Sequence, residues 1–261
     1  MTKTSDKIFL EFNGVSKSFD GIKVFENLSF NLKPGMVYGL VGPNACGKTT
    51  LLHSAMGLIR LDSGSIRYRG RDITGLKPHS IARLGLGILL QNVGIFHRIS
   101  VLDNVLTGLA ARNGWATDGK SRATTDTPRS PEERARGVLR EVGLGAYEAK
   151  QAGSLVPGEQ KRLAIARSLF ASRDFLFDEP VSGIDSETRG AFRDLMRKLA
   201  NEGRSMLIVE HDLDFVLEAC DEILLLKDGQ IACQGPPENV RSDNAFMEFY
   251  ASLKIEVGAR V

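Results

Sequence analysis

The stretch Val37-Tyr38-Gly39-Leu40-Val41-Gly42-Pro43-Asn44-Ala45-Cys46-Gly47-Lys48-Thr49-Thr50-Leu51-Leu52-His53-Ser54-Ala55-Met56-Gly57 decides the fold. Val37 to Val41 is a short apolar run, sized for a buried strand. Thr50 to Met56 has helical character and stops at Gly57. Between them, Gly42 to Thr49 fits G-x-x-x-x-G-K-[ST] at every position. In a strand-to-helix turn of this kind the backbone amides cradle phosphate oxygens, and the helix N-terminus adds positive potential. Lys48 is placed to pair with a β- and γ-phosphate, and Thr49 to ligate Mg²⁺. A plain Gly-rich turn would leave Lys48 followed by Thr49 without a reason. The segment therefore implies a bound nucleotide.

Other strand ends carry matching chemistry. Phe175-Leu176-Phe177-Asp178-Glu179-Pro180 is an apolar strand ending in two acids, at the carboxyl edge where ligands bind in parallel sheets. Asp178 is expected to hold Mg²⁺ through water, and Glu179 to orient and deprotonate an attacking water. Two solvated loop acids are the plainer account of a lone Asp-Glu, but not downstream of a phosphate loop. Ser205 to Glu210 reads as another buried strand, ending at His211-Asp212, and Ile88 to Leu90 as one ending at Gln91. His211 or Gln91 alone would be ordinary. Together with Asp178 and Glu179 they all end buried strands, at the edge facing the phosphate loop.

The remaining chain fits an α/β protein. Ile8 to Phe12 alternates apolar and polar residues, and Phe25, Leu28, Phe30 and Leu32 continue in short apolar stretches. A hairpin-like segment through Ser65 to Tyr68 precedes a helix opened by Pro78. Ser100 and Asp103 cap a helix expected to run to about Ala111. Arg112 to Ser130 is polar, reads as an exposed loop and holds the single tryptophan, Trp115, expected on the domain surface. Ser130-Pro131-Glu132-Glu133 opens a helix that stops near Gly143. Glu187 to Asn201 and Leu213 to Cys220 read as helices. Ile223 to Gln234 reads as a hairpin turning at Asp228-Gly229.

Composition bounds the rest. The chain has 261 residues, 42% of them hydrophobic and 25% charged, enough for a sizeable core in one large domain. A net charge of +2 argues neither for nor against nucleic acid. No apolar run approaches the ~20 residues of a membrane span. Met1 to Lys7 is polar, without a signal-peptide core. At a membrane, the expected place is peripheral. Three scattered cysteines, Cys46, Cys220 and Cys233, fit a reducing cytoplasm. His53, His79 and His97 lack metal-site pairing. Cys46 lies inside the phosphate loop beside Lys48 and a helix N-terminus, both of which lower a thiol's pKa; it is expected to react with alkylating reagents and to be protected by bound MgATP, a buried, inert thiol being the alternative.

From about residue 8 to 250 the sequence resembles the ATP-binding cassette family, motif by motif and in that family's order. Phe19, in Lys17-Ser18-Phe19-Asp20, matches the aromatic that stacks on adenine. Gly42, Pro43, Asn44, Ala45, Cys46, Gly47, Lys48 and Thr49 match the Walker A loop, with Thr50 following on the phosphates. Gln91 matches the Q-loop glutamine, which serves both catalysis and Mg²⁺. Leu155-Val156-Pro157-Gly158-Glu159-Gln160-Lys161-Arg162 sits at the signature L-S-G-G-Q. Phe175 to Glu179 matches Walker B, Ser182-Gly183-Ile184-Asp185 the D-loop, and His211 the switch histidine. The resemblance implies an α/β fold: a P-loop NTPase core with a mostly parallel sheet, an N-terminal antiparallel β layer and a helical signature subdomain. It implies one ATPase domain over 1–261, with its core at 1–91 and 171–261 and its helical subdomain at about 92–170, including the polar loop 112–130.

It also implies function. ATP and Mg²⁺ lie in a head-to-tail dimer, between the Walker A loop of one cassette and the signature helix, Gly158 included, of the other, with Asp185 nearby. Glu179, His211 and Gln91 are the catalytic residues; Thr49, Asp178 and Gln91 serve the metal. The chain is then a transport ATPase at the cytoplasmic face of the inner membrane. Its partners are a second ATPase subunit, transmembrane permeases and, indirectly, a substrate-binding protein. Val209 to Val216, the polar insertion and Gly158 to Leu163 most resemble ATPase subunits of branched-chain amino-acid importers, which pair two distinct ATPases; lipopolysaccharide-export ATPases look similar. The departures are Val156 for the signature serine, Pro157 for its first glycine, and Ala45 for a Walker A glycine. They keep open a regulatory cassette with weak hydrolysis. A soluble ABC ATPase acting on DNA or ribosomes would usually carry a coiled-coil or zinc insertion or a second cassette. With no heptad run and no cysteine pairs, no nucleic-acid partner is expected.

Overall fold

The computed structural model describes residues 8–90, 94–109 and 130–258. Contacts divide the chain into two compact units, Met1–Leu76 with Met196–Val261, and Lys77–Leu195. The divisions fall at 76/77 and 195/196. Trp115, Gln91 and residues 112–129 of the polar loop lie outside the described residues.

The first unit has two sheets. β1 (Leu10–Phe19) and β2 (Ile22–Leu32) pair antiparallel, and β4 (Ser63–Tyr68) and β5 (Arg71–Asp72) extend them in the order β2-β1-β4-β5. The alternation read in the sequence sets the register: Phe12 opposes Phe30, and their rings stack at 4.5 Å. In the second sheet, β3 (Val37–Val41) lies between β8 (Met206–Val209) and β9 (Glu222–Lys227), parallel to both. Every residue of β3 and β8 is buried, which explains their unbroken apolar runs. β10 (Gln230–Gly235) closes the edge antiparallel to β9. Asp228 and Gly229 both take positive φ, 50° and 73°, as a two-residue hairpin turn requires.

Helix α1 (Lys48–Ala55) starts inside the phosphate motif, earlier than Thr50, because Gly47 takes the left-handed cap conformation at φ 105°. Helices α7 (Leu213–Ala219), α8 (Pro237–Val240) and α9 (Asn244–Gly258) complete the unit.

The second unit is mainly helical. Its strands β6 (Leu86–Leu89) and β7 (Asp174–Asp178) pair in parallel, and the Phe175 and Phe177 rings stack at 5.5 Å. Helix α2 (Pro78–Arg83) precedes β6. Helix α3 (Val101–Leu106) is capped by Ser100, whose Oγ accepts from Asp103 N; Gly108 N then donates to Val105 O at 3.0 Å, and Ala111, where the sequence expectation ends, lies outside the described residues. Helix α4 (Pro131–Glu141) has a full capping box between Ser130 and Glu133. Helix α5 (Pro157–Ala171) packs on α3 and α4. Helix α6 (Ser186–Asn201) contains the 195/196 division.

Candidate functional site

In the first unit, the phosphate motif leaves the carboxyl end of β3 and His211 leaves that of the neighbouring β8, whose Val209 is in register with Leu40. The motif is already folded as a cradle. Lys48 is 5% exposed, and its Nζ donates to Gly42 O at 2.8 Å and Pro43 O at 2.9 Å. The ammonium is thus drawn into the loop, where a polyanion would be neutralised. A Cβ on Gly42 would strike Leu226 O, and one on Gly47 would lie 2.6 Å from Val24 Cγ1, so both glycines are sterically required. Ala45 takes φ 60°, so the position held by alanine does need the left-handed conformation. A cavity of about 550 Å³ borders the loop, lined by Val24, Phe25, Asn44, Ala45, Cys46 and Gly229 among others. That volume is in the range of small-ligand sites.

The Cys46 thiol lies 3.8 Å from Lys48 Nζ. Its pKa is raised rather than lowered, because burial outweighs the nearby ammonium. The expectation of an activated thiol is therefore corrected.

Phe19 ends β1, is 44% exposed, and lies outside the lining of that cavity. Its position is set by a neighbouring network. Asp62 accepts from Lys17 Nζ at 2.9 Å, Ser18 N at 2.6 Å and Ser18 Oγ at 2.8 Å, while Lys17 Nζ stands 4.9 Å from the Phe19 ring centroid. The Lys17 contact, then the Ser18 donors, hold the Asp62 carboxyl down at about 2. His211 sits between the buried Glu210, whose carboxylate accepts from His211 N at 3.2 Å, and Asp212, which caps α7 by accepting from Phe215 N.

In the second unit, Asp178 is buried at the end of β7, and Glu179 follows it at φ 51°. A non-glycine residue in that region is uncommon and clusters at functional sites. Asp185 caps α6: Thr188 N and Oγ1 each donate to its carboxylate at 2.8 Å, and the Thr188 backbone bond leads the lowering of its pKa. At the start of α5, Val156 occupies the N-cap and is 60% exposed. Valine has no acceptor for the first-turn amides, so only the reverse half of a capping box exists: Glu159 Oε2 accepts from Val156 N at 3.1 Å. Pro157 fills the first helical position, and Gly158 faces open space. Gln91 lies outside the described residues.

Two residues escaped the sequence reading. Lys161 Nζ donates to Glu179 O and Ser182 O, and Asp62 anchors the strand end that carries Phe19. Lys161 had a signal, a lysine three and four residues from Ala164 and Ile165 on a buried helical face. Asp62 had none, because its partners are 44 and 45 residues away.

The ABC transporter family model matches residues 25–182, more than half of the chain. The chain belongs to the ATP-binding cassette family. Among curated proteins, the lipopolysaccharide export system ATP-binding protein LptB of Acidithiobacillus ferridurans is 34% identical over 252 residues, covering 95% of this chain and 98% of that protein. LptB of Haemophilus influenzae is 31% identical over 242 residues, covering 92% and 96%. The high-affinity branched-chain amino acid transport ATP-binding protein BraF of Pseudomonas aeruginosa is 30% identical over 246 residues, with the same coverages of 92% and 96%. Among solved structures, the ADP conformation of an ATP-binding cassette superposes with a TM-score of 0.80 at 26% identity, over 94% of this chain and 98% of that one. A nucleotide-free cassette gives 0.77 at 27% identity, over 93% and 98%. The α/β P-loop fold of the ABC ATPases is therefore established for this chain, as are its ATPase activity and its use of ATP with Mg²⁺. ABC ATPases work as dimers with transmembrane permease partners. Among the described residues, no helix of this cassette is long and apolar enough to cross a membrane.

Proposed function

We propose that this cassette hydrolyses ATP with Glu179 as general base and powers the import of branched-chain amino acids or related solutes. The observation that supports the site is the buried Lys48 ammonium, held by two loop carbonyls where phosphate would sit. Loop amides and Lys48 bind the β- and γ-phosphates, and Phe19 stacks on the adenine. Thr49 and Asp178, with Gln91, are oxygen donors of the kind a hard cation takes beside substrate phosphates and water. Mg²⁺ held there supplies charge neutralisation on the phosphate oxygens. Glu179 takes the proton of the attacking water as its oxygen bonds to the γ-phosphorus and the bond to the β–γ bridging oxygen breaks. ADP and phosphate are released. His211 contacts the γ-phosphate, and Gln91 completes the catalytic set beside the metal.

The acting state is a head-to-tail dimer, in which Gly158 and Asp185 meet nucleotide across the interface. The chain acts as one ATPase domain over 1–261, with core segments 1–91 and 171–261 and a helical subdomain at about 92–170. It works at the cytoplasmic face of the inner membrane with a second, different ATPase subunit, permeases and, indirectly, a substrate-binding protein. BraF, named for branched-chain amino acid transport, supports the import reading. Lipopolysaccharide export is the second reading, favoured by the LptB relatives at up to 34% identity.

Uptake of labelled leucine in a strain lacking this chain separates the two. Import predicts that uptake falls and is restored by the wild type but not by Glu179→Gln. Unchanged uptake with lipopolysaccharide accumulating at the inner membrane would overturn import in favour of export.

A further inference from the structure

Lys161 has no part in the reading above, yet the structure gives it a specific task. It lies one turn into α5 on the face shared with Ala164 and Ile165, and is 7% exposed. A buried ammonium is costly unless it is partnered. Here Nζ donates to Glu179 O at 2.9 Å and to Ser182 O at 2.7 Å. Both carbonyls belong to the turn that follows β7. Within that turn, Ser182 N donates to Glu179 O and Ile184 N to Val181 O, at 3.4 Å each, at the long end of the hydrogen-bond range. Glu179 within it has φ 51°, a conformation that persists only where the surroundings impose it. Charge-assisted bonds from an ammonium are the stronger kind, and two of them span this turn.

We propose that Lys161 is the positioning residue for Glu179: by bridging the carbonyls of residues 179 and 182, it fixes the turn from which the catalytic carboxylate is aimed. It also ties that turn to the helix that begins at the signature segment. The inference rests on the reading of Glu179 as the base.

The test is steady-state ATP hydrolysis by the full-length chain in its assembled dimer, with binding of a fluorescent ATP analogue measured alongside. Lys161→Met keeps the length of the stem and removes the charge. It is expected to lower kcat about tenfold or more while leaving the KM for ATP within about twofold. Lys161→Arg has room, because Lys161 borders a cavity of about 220 Å³, and is expected to restore most of kcat. Wild-type kcat in Lys161→Met would overturn the inference. So would joint loss of binding and turnover in Lys161→Met with no recovery in Lys161→Arg, which would mark a purely structural lysine. Glu179→Gln run beside them separates the two levels. If it turns over ATP at the wild-type rate, the base assignment falls and this inference with it. If it is inactive while Lys161→Met is fully active, only the inference falls.

Discussion

At Ala45 the chain adopts φ 60° without being glycine. The left-handed conformation costs an L-residue about 1–2 kcal/mol, while glycine loses about 0.4–1 kcal/mol more entropy on folding. Ala45→Gly is therefore expected to raise stability by a net ~0.5–1 kcal/mol, measured by denaturant unfolding. Loss of stability would show that the alanine methyl makes a compensating contact. At Cys46 the raised thiol pKa predicts slow alkylation at neutral pH, rising tenfold per pH unit as the thiolate fraction grows. A rate that levels off below about pH 8.5 would contradict the account. These two residues also show how far the sequence could be read. The Walker A spacing located the loop because phosphate chemistry dictates which residue types sit where. The sign of the Cys46 shift was not legible: it depends on how deeply the loop packs against β2 and the β9–β10 turn, which no local pattern records.

Among the elements, those with a strong local signal were legible, down to the Ser130 cap and the Asp228-Gly229 turn. The turn at 107–108 after α3 was not, since it interrupts an otherwise helical pattern. The C-terminal α8 and α9 carry no motif and went unread. Two element ends give predictions. Helix α5 lacks an N-cap acceptor at Val156, so Val156→Ser is expected to stabilise the protein by about 1 kcal/mol. If the exposed Val156 side chain also faces the partner's γ-phosphate, the same hydroxyl raises ATP turnover in the assembled transporter. In a dimer with a different cassette, only one of the two sites gains. Greater stability with unchanged turnover, alone and combined with Glu179→Gln, would move the signature helix away from nucleotide. At the end of β1, Asp62 is held at about 2, below the ordinary carboxylate value near 3.9. A depressed folded pKa contributes stability above the unfolded value and loses it as pH falls through the folded one. Acid unfolding should therefore contain a component between about pH 4 and pH 2 that is absent from Asp62→Asn. The same variant should raise the KM for ATP, by loosening the strand that presents Phe19. An unchanged KM would argue against Phe19 as the adenine platform.

Lys48 follows β3 and His211 follows β8 in one unit, and Asp178 ends β7 with Glu179 next to it in the other; the proposed reading gives all four a part in ATP hydrolysis. Relatives named for lipopolysaccharide export and for branched-chain amino acid transport resemble this chain at 30–34% identity. The ATP-hydrolysing cycle is the part this chain carries, and the proposed reading puts Glu179 at its centre. The most direct measurement compares MgATP binding and hydrolysis by the wild type, Glu179→Gln and Lys48→Ala. The account predicts that Glu179→Gln binds MgATP like the wild type but hydrolyses it a hundredfold or more slowly, and that Lys48→Ala loses binding itself. Hydrolysis by Glu179→Gln at the wild-type rate would contradict it.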